Sequence, residues 1–434
     1  MKKLDSRTSS FAAELDAIIG ARQNPGAPGD VTATVHRIIA DVRDRGDEAL
    51  VEYTRKFDRS QVSAGELLID RAARKAALAE VGPEVEADLR LAAKRIEVFH
   101  RRQKESSWSF ETEDGIRLAQ RVVPLRAVGV YVPGGTASYP SSVLMNVIPA
   151  RVAGVDRIVM VTPAPDDELA PVVLAAAEIA GVDEVVRVGG AQAVAALAYG
   201  TERVPRVDKI VGPGNQWVAE AKRQVFGRVD IDMIAGPSEL CVVATRSGGA
   251  TVEQLAADLL SQAEHDTEAM VSLLSDDETL IDEVMAAVER QAAALPRAAI
   301  AQASIADYGV AILVGDIDEA MAIAERIAPE HLELVLPDAD ARAETVRNAG
   351  AVFCGPHTPE AIGDYLAGPN HVLPTNGTAR FSSPLGVYDF VKRLNVIRFS
   401  RAGLQALGPV AARLADLEGL TAHAESVRTR LRGD

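Results

Sequence analysis

Cysteine is nearly missing from the 434-residue sequence, which carries only Cys241 and Cys354. Two thiols exclude a disulfide-stapled scaffold and a cysteine-rich zinc module. An excess of positive charge is missing too: 46 Lys and Arg face 62 Asp and Glu, for a formal net charge of −16. Nucleic acid and anionic membrane surfaces attract clustered Lys and Arg, so neither is expected as the main partner. No apolar run approaches the ~18 residues of a membrane helix. The opening MKKLDSRTSSFAAELDAIIG is basic at first, but Glu14 and Asp16 interrupt its apolar stretch. It reads as an amphipathic helix, not a secretory signal, and a cytoplasmic protein is the expectation. The G-x-S-x-G elbow of serine hydrolases is absent, as is G-x-G-x-x-G after a strand. The nearest approach, Gly212-Pro213-Gly214-Asn215, has Trp217 where the third glycine would fall.

What remains is a globular composition, 47% hydrophobic and 25% charged, long enough for two or more domains. Residues 32–105 follow a helical period, with Val35, Ile38, Ile39 and Val42 on one face. From about residue 127, β-branched runs alternate with Ala-rich helices. AVGVYVP, RIVMVTP, EVVRVGG and DKIVGPGN form one series; ELCVVAT, AMVSLLS, GVAILVG, LELVL and AVFCG form a second. Strands alternating with helices predict right-handed βαβ units, hence two Rossmann-like parallel-sheet domains in succession. The end differs again. FSSPLGVYDFVKRLNVIRFS predicts β structure and Gly408 to Arg432 predicts helices. That stretch is too small for a core of its own, so it must pack on the body or on another subunit.

Three strand ends in the first series carry glycines: Gly134-Gly135, Gly189-Gly190, and Gly212 with Gly214. Glycines there either serve ordinary turns or let the backbone approach a ligand at the carboxyl edge. Five of the seven histidines lie after residue 260. Gln262 and His265 share a helix face at i, i+3, a spacing that suits either surface capping or paired metal ligation. Asp364 and His423 are further candidate ligands; with no cysteine among them, such a set would suit zinc or another divalent ion. Glu330-His331 enters the run LELVL as an adjacent acid and base, either a proton-transfer pair or a surface carboxylate beside a half-buried ring. His371 lies in a Gly-Pro-Asn loop, where function concentrates. His36, His100 and His357 have no supporting context. Ser238 reads as a turn residue, and Cys241 and Cys354 as small buried hydrophobes.

Taken together, the segments VGVYVPGGTASYPSSVLMNVIPA, VGGAQAVAALAYGT, KIVGPGNQWVAEAK, DMIAGPSE, LLSQAEHD, APEHLEL, GDYLAGPNHVLPT and EGLTAHAESV resemble the histidinol dehydrogenase family, in its order. The likeness runs from about residue 30 to the C-terminus. It implies an aldehyde-dehydrogenase-like α/β architecture and oxidation of L-histidinol to L-histidine through L-histidinaldehyde, with two NAD reduced and one zinc per site. The implied zinc ligands are Gln262, His265, Asp364 and His423, and the implied proton-transfer residues are Glu330 and His331. Substrate contacts would come from Ser238, His371 and Glu418 together with His331 and the four ligands. NAD contacts would come from Tyr131, Gln192 and Asn215. The implied partners are histidinol, NAD and a second copy of the chain, with Glu418 and His423 completing the neighbour's site.

The domain expectation is then an N-terminal helical tail (1–25), a zinc and substrate domain (26–130 with 237–381), an NAD domain (131–236), and a crossing C-terminal tail (382–434). Rival readings are a thiohemiacetal on Cys241 or Cys354, a zinc-dependent hydrolase or lyase in which Glu330 activates water, and a metal-dependent binding protein without turnover.

Overall fold

The computed structural model of the protein describes residues 1–23, 29–134 and 138–433. Gly135 of the first glycine pair lies outside the described residues. Strand β1 (Lys2–Asp5) opens the chain, β2 (Leu68–Ile69) follows three helices, and β3 (Trp108–Glu111) pairs with β4 (Arg117–Pro124). Then β5 (Ala127–Tyr131), β6 (Arg157–Thr162), β7 (Glu184–Arg187), β8 (Lys209–Val211) and β9 (Asp230–Ile231) alternate with helices. So do β10 (Glu239–Ala244), β11 (Met270–Ser275), β12 (Gly309–Leu313), β13 (His331–Val335) and β14 (Ala351–Cys354), before β15 (Val391–Arg398).

Two six-stranded sheets result. Sheet I has the order β2-β7-β6-β5-β8-β9 and sheet II the order β1-β12-β11-β10-β13-β14. Apart from the short antiparallel β2, every pairing in both is parallel. In each sheet the third, second, first, fourth and fifth strands of one series lie side by side. This is the doubly wound pattern, with its switch point beside the first strand. Both faces of sheet II are covered, and the strands alternate accordingly. Leu240, Val242 and Ala244 share a core with the helices Val252–Ala263 and Glu278–Ala292. Cys241 and Val243 point the other way, toward Phe11–Gln23 and Ile317–Ile327.

The parallel-sheet expectation holds, with differences at its margins. Residues 2–5, expected as part of a helix, form the edge strand of sheet II in register with Val310 to Leu313, and Leu4 is buried there. The helix begins only at Phe11. An open sheet edge satisfies the backbone of a four-residue run that is too short to nucleate a helix.

The structure also distributes the flanking segments differently from the expected grouping. Helices Gly29–Arg45 and Asp47–Asp58 share a core with sheet I, Val35 and Leu50 meeting Val159, Val161 and Val186. Arg71–Glu80 packs on Pro171–Ala180, and Gly82–Arg101 on Pro140–Ala153, so residues 29–101 belong with sheet I and not with sheet II.

One compact unit comprises Met1–Gln103 and Arg126–Phe390, and a second comprises Lys104–Leu125 and Val391–Asp434. Within the second unit, β15 pairs antiparallel with β4 along its whole length, and the helices Arg401–Leu417 and Thr421–Arg432 pack on each other. The C-terminal stretch therefore borrows β3 and β4 for its structure. No helix among the described residues is long and apolar enough to cross a membrane.

Candidate active site

The amino edge of sheet II gathers most of the sequence-predicted chemistry. A Thr251–Gln254 capping box starts the helix Val252–Ala263, which runs back from β10 and carries Gln262 in its last turn to that edge. His265 lies just beyond the helix end. β13 delivers His331 as its first residue, preceded by Pro329-Glu330 and by Ala328, a non-glycine in the left-handed region at φ 51°. The short helix Glu360–Tyr365, which follows β14, presents Glu360 and Asp364 one turn apart on one face.

His331 Nδ1 lies 3.0 Å from the carbonyl oxygen of Glu239, the first residue of β10. A carbonyl only accepts, so Nδ1 carries the proton and Nε2 keeps its lone pair. Burial lowers His331 to about 3, so the imidazole is neutral, a base with its free nitrogen 3.7 Å from Glu360 Oε1. The Glu330 carboxylate accepts from the Glu239 N–H at 3.0 Å and lies 3.7 Å from His331 Nδ1. Burial pushes Glu330 well above the usual carboxylate range, and the charges of Glu239, Asp364 and Glu360 add to it. Asp364 is raised to about 6 and Glu360 to about 8, chiefly by burial. His371 Nδ1 stands 3.7 Å from Asp364 Oδ1, and its Nε2 3.5 Å from Ser142 Oγ; burial lowers it to about 4. Ser238, half-buried, is tied to the start of β11 by its carbonyl.

Ligand atoms of His331, Glu360 and Asp364 lie within 4.8 Å of one another, close enough to hold a metal ion. Gln262 is fully buried, yet neither polar atom of its amide has a partner. A buried amide without a hydrogen bond costs ~1–3 kcal/mol. Gln262 follows Ser261, whose hydroxyl donates to Glu360 Oε2 at 3.1 Å, and crowded carboxylates with an orphaned amide at the same edge fit a divalent cation, which would relieve both penalties. Of the four expected ligands, Gln262, His265 and Asp364 belong to the first unit, and His265 acts electrostatically on both His331 and Asp364. His423 and Glu418 belong to the second unit, where both are exposed.

Sheet I keeps its chemistry at the opposite, carboxyl edge. Tyr131 ends β5, and its hydroxyl accepts from the Gly190 N–H at 3.0 Å. Gly212 has φ +108°, and a Cβ there would lie 2.1 Å from the Tyr131 carbonyl oxygen, so no side chain fits. Both ends of that glycine are pinned by a buried ion pair. Lys222 Nζ donates to its carbonyl at 3.0 Å, and Asp232 accepts from its N–H at 2.7 Å. Asn215 caps the helix Gln216–Val225 through the N–H groups of Trp217 and Val218. Gln192, in the first turn of the helix Gly190–Tyr199, is buried with both amide atoms unpartnered. A glycine-lined edge with helix N-termini and a free amide fits an anionic dinucleotide.

Sequence reasoning missed Glu360, and also Glu333, which is buried on β13 and raised to about 9 by burial with the Asp258 carboxylate adding to it. The i, i+4 spacing of Glu360 and Asp364 was the available signal for the first, and a lone carboxylate inside LELVL for the second. Cys241 is fully buried and its thiol pushed up to about 12, far from a reactive thiolate at neutral pH.

A model of the family described as histidinol dehydrogenase matches residues 22–431. The histidinol dehydrogenase of Syntrophotalea carbinolica is 55% identical over 432 residues, covering 100% of this chain and 99% of the relative. That of Geobacter metallireducens is 54% identical over 435 residues, covering 100% and 99%. The crystal structure of histidinol dehydrogenase from Elizabethkingia anophelis superposes with a TM-score of 0.92 at 35% identity, covering 100% of this chain and 98% of that one.

Proposed function

The chain belongs to the histidinol dehydrogenase family, and we propose that its two sheet edges together oxidise L-histidinol to L-histidine through L-histidinaldehyde, with two hydrides passed to two NAD. The observation that carries this reading is the neutral His331, oriented by the Glu239 carbonyl, beside a buried Glu330 and an unpartnered Gln262. NAD supplies the hydride acceptor, and a divalent ion, zinc in this reading, supplies a Lewis-acidic point that orients the amine and imidazole of histidinol. Its ligands would be Gln262, His265 and Asp364, with His423 from a second copy of the chain.

His331 Nε2 takes the hydroxyl proton as the first hydride leaves. Glu330 then removes a proton from water as it adds to the aldehyde, whose oxygen takes the proton back from His331, and His331, neutral again, takes the hydrate's hydroxyl proton as the second hydride leaves. Each such proton transfer typically contributes ~10²–10⁴-fold. Keeping the aldehyde bound protects it from side reactions. Ser238, His371 and Glu418 contact the substrate; Tyr131, Gln192 and Asn215 line the dinucleotide, making residues 131–236 the NAD-binding part.

A homodimer in which Glu418 and His423 complete the neighbour's site belongs to the same reading. It is supported by the exposure of Trp108, Phe110 and Ile397 on one face of the small sheet and of Leu414 and Leu417 on the helix Arg401–Leu417, large apolar side chains that a second copy would cover. A cytoplasmic location is also part of it.

The test is stoichiometric: NADH formed per L-histidinol, before and after the metal is stripped and zinc restored. Two per substrate, lost on chelation and recovered with zinc, is the expected result. A hydrolase or lyase on this scaffold would give none.

A further inference from the structure

One residue's main chain holds both members of the proton-transfer pair. The N–H of Glu239 donates to Glu330 Oε2 at 3.0 Å, and its carbonyl accepts from His331 Nδ1 at 3.0 Å. A shift of this single residue would therefore move the carboxylate and the imidazole together. Ladder pairing to β11 begins at Glu239 but that to β13 only at Leu240, so on the β13 side Glu239 lies before the ladder. Something besides the sheet must fix it on that side.

That group comes from 217 positions earlier in the chain. Arg22, in the last turn of the helix Phe11–Gln23, points its Nε at Glu239 Oε1, 3.3 Å away. Its other nitrogens donate to the Pro237 carbonyl at 3.0 Å and the Glu268 carbonyl at 2.6 Å. The Tyr308 ring lies 5.6 Å from the guanidinium carbon. The side chains of Arg22 and Glu239 are only 9% and 4% exposed. The rigid guanidinium fork thus ties the Pro237–Glu239 entry to the turn before β11, on the side of Glu239 away from the rest of its strand. A buried ion pair is by itself weak evidence for stabilisation, since desolvation offsets much of the attraction. Its placement here is what is informative.

We infer that Arg22 is a positioning residue for the reaction, acting through the Glu239 side chain to hold the peptide that orients Glu330 and His331. This rests on the reading of those two as the proton-transfer pair. It makes the N-terminal helix part of the active-site support and gives the buried carboxylate of Glu239 a task.

The test compares Arg22→Met, Arg22→Lys and Glu239→Gln with His331→Asn, each as the metal-loaded enzyme, with rates expressed per folded, metal-loaded site. Oxidation is followed from L-histidinol and from L-histidinaldehyde supplied directly. Misplacement by a fraction of an ångström to 1 Å costs up to ~10²-fold in rate. Arg22→Met should therefore lower kcat about 10- to 100-fold on both substrates, with KM for histidinol changed less than about threefold. Arg22→Lys, which keeps the charge, should recover about half of that loss on a logarithmic scale. Should Arg22→Met fold poorly, Glu239→Gln retains the shape, removes the charge, and should show the same kcat-selective loss. A normal kcat per folded site in Arg22→Met or Glu239→Gln, with only the melting temperature lowered, overturns the inference. Near-normal rates in His331→Asn would instead overturn the reading on which it rests.

Discussion

Sheets I and II share one topology but gather their glycines and their charged groups at opposite edges. In sheet I the carboxyl ends of β5, β7 and β8 carry the glycines, the Tyr131 hydroxyl and the unpartnered Gln192 amide. That is where doubly wound sheets generally bind ligands. In sheet II the charged groups collect at the amino ends, where Glu239 and His331 open their strands and helices returning from the far edge bring Gln262, Glu360 and Asp364. Topology therefore does not choose the working edge; the side chains and the turns that deliver them do. The two edges also differ in what they lack. Sheet I offers backbone and neutral amides, which suit an anionic dinucleotide in a protein of net charge −16. Sheet II offers crowded carboxylates, which call for a cation.

The largest effect that would test this division is on the acid–base pair. His331→Asn should lower kcat by ~10²–10⁴-fold in both oxidations, and Glu330→Gln should slow oxidation of the aldehyde more than that of the alcohol. Equal losses in the two steps for Glu330→Gln would contradict its separate role with water. Next comes the metal. Gln262→Leu fits an apolar side chain where the amide has no protein partner, so the fold should survive while zinc affinity, measured by competition with a chromophoric chelator, drops by at least about tenfold. NAD binding should not change. Gln192→Leu should do the converse, raising the dissociation constant for NAD about tenfold with metal content intact, as expected for ~1–2 kcal/mol of hydrogen bonding.

The smallest effect is on stability. Glu333 is raised to about 9, above its value in the unfolded chain, so what its protonated form contributes is fully present below the ordinary carboxylate range. It is lost as pH rises toward 9. Glu333→Gln removes that titration. The melting temperature of the variant should match the parent near pH 5 and exceed it increasingly up to pH 9; parallel curves would show that the carboxyl is already ionised.

Much of this was legible in the residues. The two strand series, their parallel pairing and the Gly-bearing ends follow from β-branched runs alternating with helices, and the deeply buried strands made those runs unambiguous. Glu330-His331, Gln262 and His265 stood out as candidates, but their types and spacing fit structural roles as well; the family resemblance, not the spacing, pointed to chemistry. The strand Lys2–Asp5 was not, since it gains its form from the edge of β12 more than 300 residues away. The same holds for the helices of residues 29–101, whose apolar faces fit either sheet and whose choice of sheet I depends on tertiary contacts alone. Arg22 was invisible for the same reason: nothing local distinguishes an arginine at a helix end from one that reaches Glu239. Asp364 was a candidate ligand from the sequence, whereas its neighbour Glu360 emerged only when the short helix placed both beside His331.

The division of labour between the two edges is tested most directly by titrating zinc and NAD separately into Gln192→Leu and Gln262→Leu. The account predicts a crossed pattern, with NAD affinity lost only in the first variant and zinc affinity only in the second. Loss of both ligands in either variant, or an unchanged NAD affinity in Gln192→Leu, would contradict it.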